Sequence, residues 1–492
     1  MTGQADWDNI KCYLRSCDFF NLFDAKADYS AEFVFNTFYS YVYQCIDLFV
    51  PVKTVGPCNN NNSAARKYPA NIRRLVNKKA KAWRTYHSSG SPASLSIYKQ
   101  HAAHCHTAIN TFVSSCEEKL VDSGNISAFY RYANRKLSSK SAIGPLLDTD
   151  GTTITDSQTK AEVLSNCFSS NFTRDNGIIP SIDRSINRSC LRSINFNPIT
   201  VEYAIKKMKG KKTYGGPDGI PPIFIKTCIN ELKFPLAKLF QLSFNTGYLP
   251  DEWRRAYITP IFKKGSTTDP HNYRPIAQTS SLCKIMERVI KDQLLTFLTS
   301  NSHISPNQHA FIAHHSTATN LLECTNDWSI AINSSNSVDI IYIDFSKAFD
   351  SIVFDKLLYK LSLYGISGNL LNWIEHFLKG RSQCVAVDGC LPAVSEVLSG
   401  VPQGSVLGPV LFLIFINDII DICSGEVTIK LFADDAKLYS VITSSNHLAS
   451  LSLQRSLDNL ITWSSIWQLY INIIKCNLLT IVDSNNHLLS HL

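Results

Sequence analysis

Residues 427–440 read VTIKLFADDAKLYS, with apolar and polar side chains alternating on both sides of a short tip. Val427, Ile429 and Leu431 alternate with polar residues, and apolar residues resume at Leu438 and Val441 beyond Ala433-Asp434-Asp435-Ala436. A side-chain period of two is that of a half-buried strand, so the segment predicts strand–turn–strand. The tip carries two adjacent like charges, which repel. Stability gives no reason to put them there, whereas a divalent cation does. A plain polar turn is the alternative reading of Asp434-Asp435 alone.

Three further blocks precede this one. In Ile340–Asp350, IIYIDFSKAFD, four apolar residues read as a central strand and place Asp344 at its C-terminal end. α/β sheets put chemistry at such ends. An unpaired buried carboxylate is costly, so Asp344 faces water or binds a cation. Helix-forming residues follow to Leu363, with Asp350 and Asp355 read as helix-start residues. In Gly400–Asp418, GVPQGSVLGPVLFLIFIND, the glycines Gly400 and Gly404 with Pro402 let the backbone come close to a ligand, and Gln403 adds a flexible donor and acceptor. The helix behind, from about Leu407 to Asp421, is apolar on nearly all sides and therefore buried. Upstream, Ile258–Phe262 and Tyr273–Ala277 read as two strands joined through Lys263-Lys264-Gly265. Such a hairpin, with Lys263 or Lys264 on one arm and Arg274 on the other, offers two cations to one anion, and a triphosphate is the fitting size. An ordinary charged hairpin is the alternative.

With 492 residues, 45% of them hydrophobic, the chain predicts two to four domains. Its net charge is +8, unevenly spread. Residues 61–140 hold 14 Lys and Arg against Glu117, Glu118 and Asp122, a net of +11, and can follow a phosphate backbone or form a solvated face. The 15 cysteines are scattered without a C-x-x-C pair, which reads as a reduced, intracellular chain. His101, His104, Cys105 and His106 lack a second ligand pair at zinc spacing and read as a polar helix face. Polar and acidic residues follow Met1, so no signal peptide is expected, and Val406–Ile416 is too short to span a membrane.

Along the chain, residues 1–50 are acidic and aromatic, and Pro51 and Asn59–Asn62 mark a loop. Residues 66–140 look helical, broken near Ser88–Pro92. Leu146–Ser157 reads as a small hairpin around Asp150-Gly151, followed by a helix from Lys160 to Phe168. Residues 173–198 look loop-like, and the main boundary falls near 195–200.

In this order, NYRPI, IDFSKAFD, GVPQGSVLGPVLFLIFIND and FADD resemble the reverse transcriptase of non-LTR (LINE-type) retrotransposons, similar to the jockey and CR1 branches. The resemblance implies an α+β fold of right-hand polymerase fingers and palm over residues 199–482. It also implies a basic, mostly helical linker at 56–198, a segment at 1–55 like the tail after the endonuclease, and a non-family tail at 483–492. Asp344, Asp434 and Asp435 would bind two Mg2+ ions (or Mn2+), with Asp435 the weaker ligand. Lys263, Lys264, Arg274, Phe345, Gln403 and Gly404 would bind the nucleotide. Phe349 would be the ring that collides with a ribose 2′-hydroxyl, and Lys475 would help to protonate pyrophosphate. The partners implied are dNTP, a DNA primer and an RNA template that includes the element's own RNA. No membrane partner is implied.

The chain also departs from the family. QHAFIAHHST has Ala310 where the family has Gly, and Ile312 and His315 where it has arginines. Each lost charged hydrogen bond is worth about 1–3 kcal/mol of binding. No endonuclease site or C-terminal Cys/His knuckle is seen, and nothing after Lys475 resembles a thumb, so a truncated copy of low processivity is expected. The competing functions are a non-catalytic RNA-binding remnant, a maturase-like protein and a metal-dependent hydrolase.

Overall fold

The computed structural model describes residues 5–23, 29–51, 68–137, 143–148, 150–180, 189–208, 215–391, 393–423, 425–443 and 448–482. The expected loop at Asn59–Asn62 and the tail at 483–492 lie outside these residues. The chain divides into two compact units, Met1–Pro51 with Ile143–Leu492, and Val52–Ala142.

The smaller unit is helical: Ala70–Ser89, Pro92–Asp122 and Ile126–Leu137. Its first two helices are antiparallel neighbours broken where the sequence predicts. Gly90 closes the first at φ +60°, a left-handed conformation that suits glycine, and Ser91 caps the second with Pro92 in its first turn. Trp83 rests on Tyr98 at 5.0 Å between ring centroids. Arg73, Arg74, Lys78, Lys81 and Arg84 are exposed.

Among its described residues the larger unit holds three sheets. A two-stranded pair, β1 (Leu146–Leu147) and β2 (Thr153–Ile154), turns at Gly151 with φ +83°. The second sheet has the order β4-β3-β6-β7, with β3 (Arg255–Phe262), β4 (Tyr273–Gln278), β6 (Ser382–Val385) and β7 (Ser395–Glu396). The third has the order β10-β5-β9-β8, with β5 (Ser337–Ile343), β8 (Thr428–Phe432), β9 (Asp435–Ile442) and β10 (Asn477–Ile481), every pair antiparallel. The helix Gly408–Ile416 lies in the main core with all but one of its residues buried, as an all-round apolar sequence requires.

Two segment boundaries differ from expectation. Residues 31–49 form a helix whose Phe35 meets Trp253 edge-on at 5.3 Å, while the Trp253 indole N–H donates to Tyr39 at 2.8 Å. The described residues of 5–51 therefore pack into the core of the larger unit. Ala161, Leu164 and Phe168 likewise share a core with Ala256, Ile258 and Tyr273, so the stretch after Ile143 packs with the strands and not with the basic helices. No helix among the described residues is long and apolar enough to cross a membrane, and every described cysteine is free.

Candidate active site

The central strand β5 buries Val338, Ile340 and Ile343, and Asp344 follows at its end. In the antiparallel ladder with β9, Ile343 faces Ala436, so the next pair across the ladder is Asp344 and Asp435. Phe432 pairs with Asp435, leaving only Ala433 and Asp434 in the turn between β8 and β9. Ala433 sits at φ +56°, the left-handed conformation a two-residue hairpin demands and one that a side chain tolerates poorly. Three carboxylates from two strands thus share one sheet end. Burial pushes Asp434 above the usual carboxylate range, and the charges of Asp435 and Asp344 add to it. Asp435 is raised in the same way, by burial and then by Asp344.

Cations face this end from two directions. The Lys475 ammonium donates to Asp344 Oδ1 at 2.8 Å, placed there by a turn at Ile473–Lys475 and by β10, which pairs with the outer edge of β5. From the second sheet, Ile261 pairs with Arg274, and the Lys263 N–H donates to Asn272 O at 2.8 Å, which extends the ladder past β3. Lys263 is two residues beyond Ile261 and shares a face with Arg274, whereas Lys264 falls on the other face. Lys263 lies below the usual lysine range through burial and the neighbouring Arg274, Lys475 and Lys264, with Asp344 pulling the other way.

The loop 399–404 packs against the turn after Asp344. Ser399 Oγ donates to Asp350 O at 2.6 Å, Val401 N–H to Phe349 O at 2.8 Å, and Gln403 Nε2 to Asp350 Oδ1 at 2.8 Å. Phe349 is half-buried and stacks on Phe412, with centroids 4.3 Å apart and ring planes 14° apart.

Residues 261–489 match the family described as reverse transcriptase (RNA-dependent DNA polymerase). The RNA-directed DNA polymerase from mobile element jockey of Drosophila melanogaster is 28% identical over 429 residues, covering 83% of this chain and 46% of that protein. Its counterpart in Drosophila funebris is 27% identical over 464 residues, covering 88% of this chain and 50% of that protein. A probable RNA-directed DNA polymerase from transposon BS of Drosophila melanogaster is 29% identical over 299 residues, covering 57% of this chain and 32% of that protein. The chain carries a reverse transcriptase domain of the jockey-like, non-LTR kind. It spans about half the length of the jockey proteins it matches. The family match also runs into residues 483–489, part of the segment expected to lie outside it. Among solved structures, an apo telomerase from Candida tropicalis aligns with a TM-score of 0.35 at 12% identity, over 52% of this chain and 63% of that one.

Several expected roles are corrected within the reverse transcriptase domain. The Phe345 ring is 3% exposed and packs against Trp463, so it belongs to the core and is not presented at the surface of the site. Gly400 and Gly404 allow close approach, but of protein backbone. A Cβ on Gly404, at φ +126°, would stand 2.3 Å from Ala277 O, and one on Gly400 would stand 2.7 Å from Phe349 O and Asp350 Cα. Asp350 does not start a helix. The helix runs Phe354–Leu363, nine residues later than its sequence suggests, because Lys347 turns left-handed at φ +48° and loop 399–404 takes up the backbone groups of Phe349 and Asp350. Asp355 does lie in the first turn of that helix, bonded to Lys379 at 2.7 Å.

Sequence reasoning missed Gln308. Its side chain is buried, and its Oε1 accepts the Ala433 N–H at 3.1 Å and the Ala310 N–H at 2.9 Å, fixing the turn that carries Asp434. The block was read for its missing arginines, and no local signal ties it to residue 433. Ala310 itself is buried and not among the left-handed residues, so a methyl group is tolerated where the family has Gly. His315 is exposed, its ring 4.8 Å from that of His309 and tilted by 44°, and Ile312 is half-buried.

Among the described residues no three His, Cys, Asp or Glu side chains converge at metal-binding spacing. That covers His101, His104, Cys105 and His106. It also means that the three aspartates share a sheet end without closing on one point, with Lys475 on Asp344. Their donor set, all carboxylate oxygen, suits a hard ion such as Mg2+. The like-charge repulsion that raises Asp434 and Asp435 is what a cation would relieve.

Proposed function

We propose that this chain is an RNA-directed DNA polymerase that extends a DNA primer with dNTPs on an RNA template, including the RNA of its own element. The observation that carries the reading is that Asp344, Asp434 and Asp435 share one sheet end whose carboxylates feel the charge of Lys263, itself beside Arg274 on the hairpin of β3 and β4. Asp344, Asp434 and Asp435 would hold two Mg2+ ions, for which Mn2+ could substitute. Those ions, when bound, would activate the primer 3′-hydroxyl and stabilise the departing pyrophosphate.

The chain's own groups do the remaining work. Lys263 and Arg274 clamp the triphosphate from a shared face, and Lys264 adds charge from the far side. Lys475 Nζ, paired with Asp344 before substrate arrives, carries the proton that pyrophosphate needs on leaving. Phe349 excludes a 2′-hydroxyl by collision. Gln403, steadied by Asp350, contacts the incoming nucleotide or the template with its remaining amide groups. The basic helices of the smaller unit bind RNA phosphates.

Primer extension on poly(rA)/oligo(dT) with Mg2+ tests the reading. Asp434→Asn, with its circular dichroism unchanged, is expected to abolish extension, and undiminished extension would defeat the metal assignment. Retained RNA affinity with no incorporation by the unaltered chain would instead select a non-catalytic RNA-binding protein.

A further inference from the structure

We propose that Phe412, which the core hides from any substrate, is a positioning residue for sugar selection because it holds the plane of the Phe349 ring. The proposal rests on the reading of Phe349 as the residue that rejects a 2′-hydroxyl. A rejection built on collision works only if the colliding ring cannot swing aside. Phe349 stands in an irregular turn, residues 345–353, that precedes the helix Phe354–Leu363. No helical turn restricts its side-chain torsions, and the residue is only partly buried. Its backbone is tied down by the Val401 N–H at 2.8 Å, and the next residue by Ser399 Oγ and Gln403 Nε2. These bonds fix where the Phe349 Cα lies and do not by themselves set the plane of its ring.

The ring packs on the main core, and its face-to-face aromatic partner there is Phe412. Phe412 lies within the buried helix Gly408–Ile416 at 0% exposure, and its ring is near-parallel to Phe349 at a 4.3 Å centroid separation. Because that helix is walled in on all sides, Phe412 is the rigid partner and Phe349 the one whose orientation is set. The loop 399–404 and this helix are continuous in sequence, so one stretch of chain fixes both the backbone and the ring of Phe349. The same helix supplies a matched control. Phe415 is equally buried but meets Trp467 edge-on at 5.9 Å.

The test measures binding, so that turnover is not required. The full chain is assembled on poly(rA) with an oligo(dT) primer ending in a dideoxynucleotide, with Mg2+, and titrated separately with dTTP and UTP. The readout is the ratio of the UTP Kd to the dTTP Kd. Phe412→Leu is expected to lower that ratio about three- to tenfold, the scale of a lost aromatic pair, chiefly by tightening UTP. Phe415→Leu, which removes the same ring from the same helix, is expected to lower thermal stability and leave the ratio unchanged. In a Phe349→Val background, Phe412→Leu is expected to have no further effect. If Phe412→Leu does not fold, Phe412→Met carries the same expectation, since it keeps the apolar bulk and loses the plane.

A ratio unchanged in Phe412→Leu or Phe412→Met, while Phe349→Val lowers it, overturns this proposal alone. So does an equal loss in Phe415→Leu, or additive losses in the double variant. A ratio unchanged in Phe349→Val overturns the underlying reading of Phe349. A chain that binds neither nucleotide overturns the nucleotide site itself.

Discussion

Single side chains in this reverse transcriptase domain work through what they leave unpaired. Gln308 accepts two backbone N–H groups, one of them next to Asp434. Gln308→Leu strands both donors in the core, at about 1–3 kcal/mol each. The expected kinetic result is a fall in kcat for primer extension with little change in the KM for dTTP, because the carboxylate turn loosens while the cation hairpin stays. A change confined to KM would contradict that role. Asp350 makes a second residue-scale case. Burial pushes its carboxyl up to about 6, against the hydrogen bond from Gln403 that lowers it. An unfolded aspartate titrates near 3.9, so between about pH 4 and 6 the folded chain holds a proton that the unfolded chain has released. Stability therefore falls as pH rises through that window and levels off above it. Asp350→Asn keeps an acceptor for Gln403 and removes this loss. At pH 7 it is expected to be more stable than the parent by about 2–3 kcal/mol, and at pH 4 equal to it, as read by urea unfolding. Equal stability at both pH values would show that the carboxylate is well solvated.

At the scale of elements, the N-terminus of the buried helix Gly408–Ile416 depends on a residue far away in sequence. Glu287 Oε2 accepts the Val406 N–H at 2.6 Å and the Leu407 N–H at 3.0 Å, with burial raising its carboxyl above the usual range. Glu287→Leu is expected to cost about 2–4 kcal/mol by leaving two buried donors unpaired, seen as a lower Tm. A melt within a degree of the parent would contradict it. These elements also mark what a sequence discloses. The alternation at Val427, Ile429 and Leu431 and the all-round apolarity of Val410–Ile416 are local patterns, and the structure buries every one of those residues. The stretch FSKAFDSIV is different. Its composition favours a helix, yet bonds from Ser399, Val401 and Gln403 bend it into a turn. Local propensity gave way to partners some fifty positions downstream, which a single sequence does not reveal. Strand β10 escaped notice for the same reason. Most of its residues are exposed, so no burial pattern announces it, and its place is set by pairing with β5.

For the whole molecule, charge and core are divided between two units. The smaller one exposes Arg73, Arg74, Lys78, Lys81 and Arg84 along one helix and buries only Ile72 on it. Replacing those five by Gln is expected to reduce the slope of log affinity for single-stranded RNA against log salt by about 3–4. An unchanged slope would place the RNA elsewhere. The basic character of this unit was legible from a count of residues. The membership of residues 1–51 in the larger core was not, because it rests on Phe35 and Tyr39 reaching Trp253 across some two hundred positions. Distance along the chain has a further consequence for the pair of Asp344 and Lys475, which lie 131 residues apart. Contacts of that separation carry a large closure entropy and form slowly. The hairpin β8–β9 and the helix Gly408–Ile416 are local and can form early. The outer edge of β5 stays bare until residues 477–481 have left the ribosome. In a growing chain the acidic end of this sheet therefore exists first without its lysine, and the ion pair of Asp344 and Lys475 closes after the carboxylates are already in place.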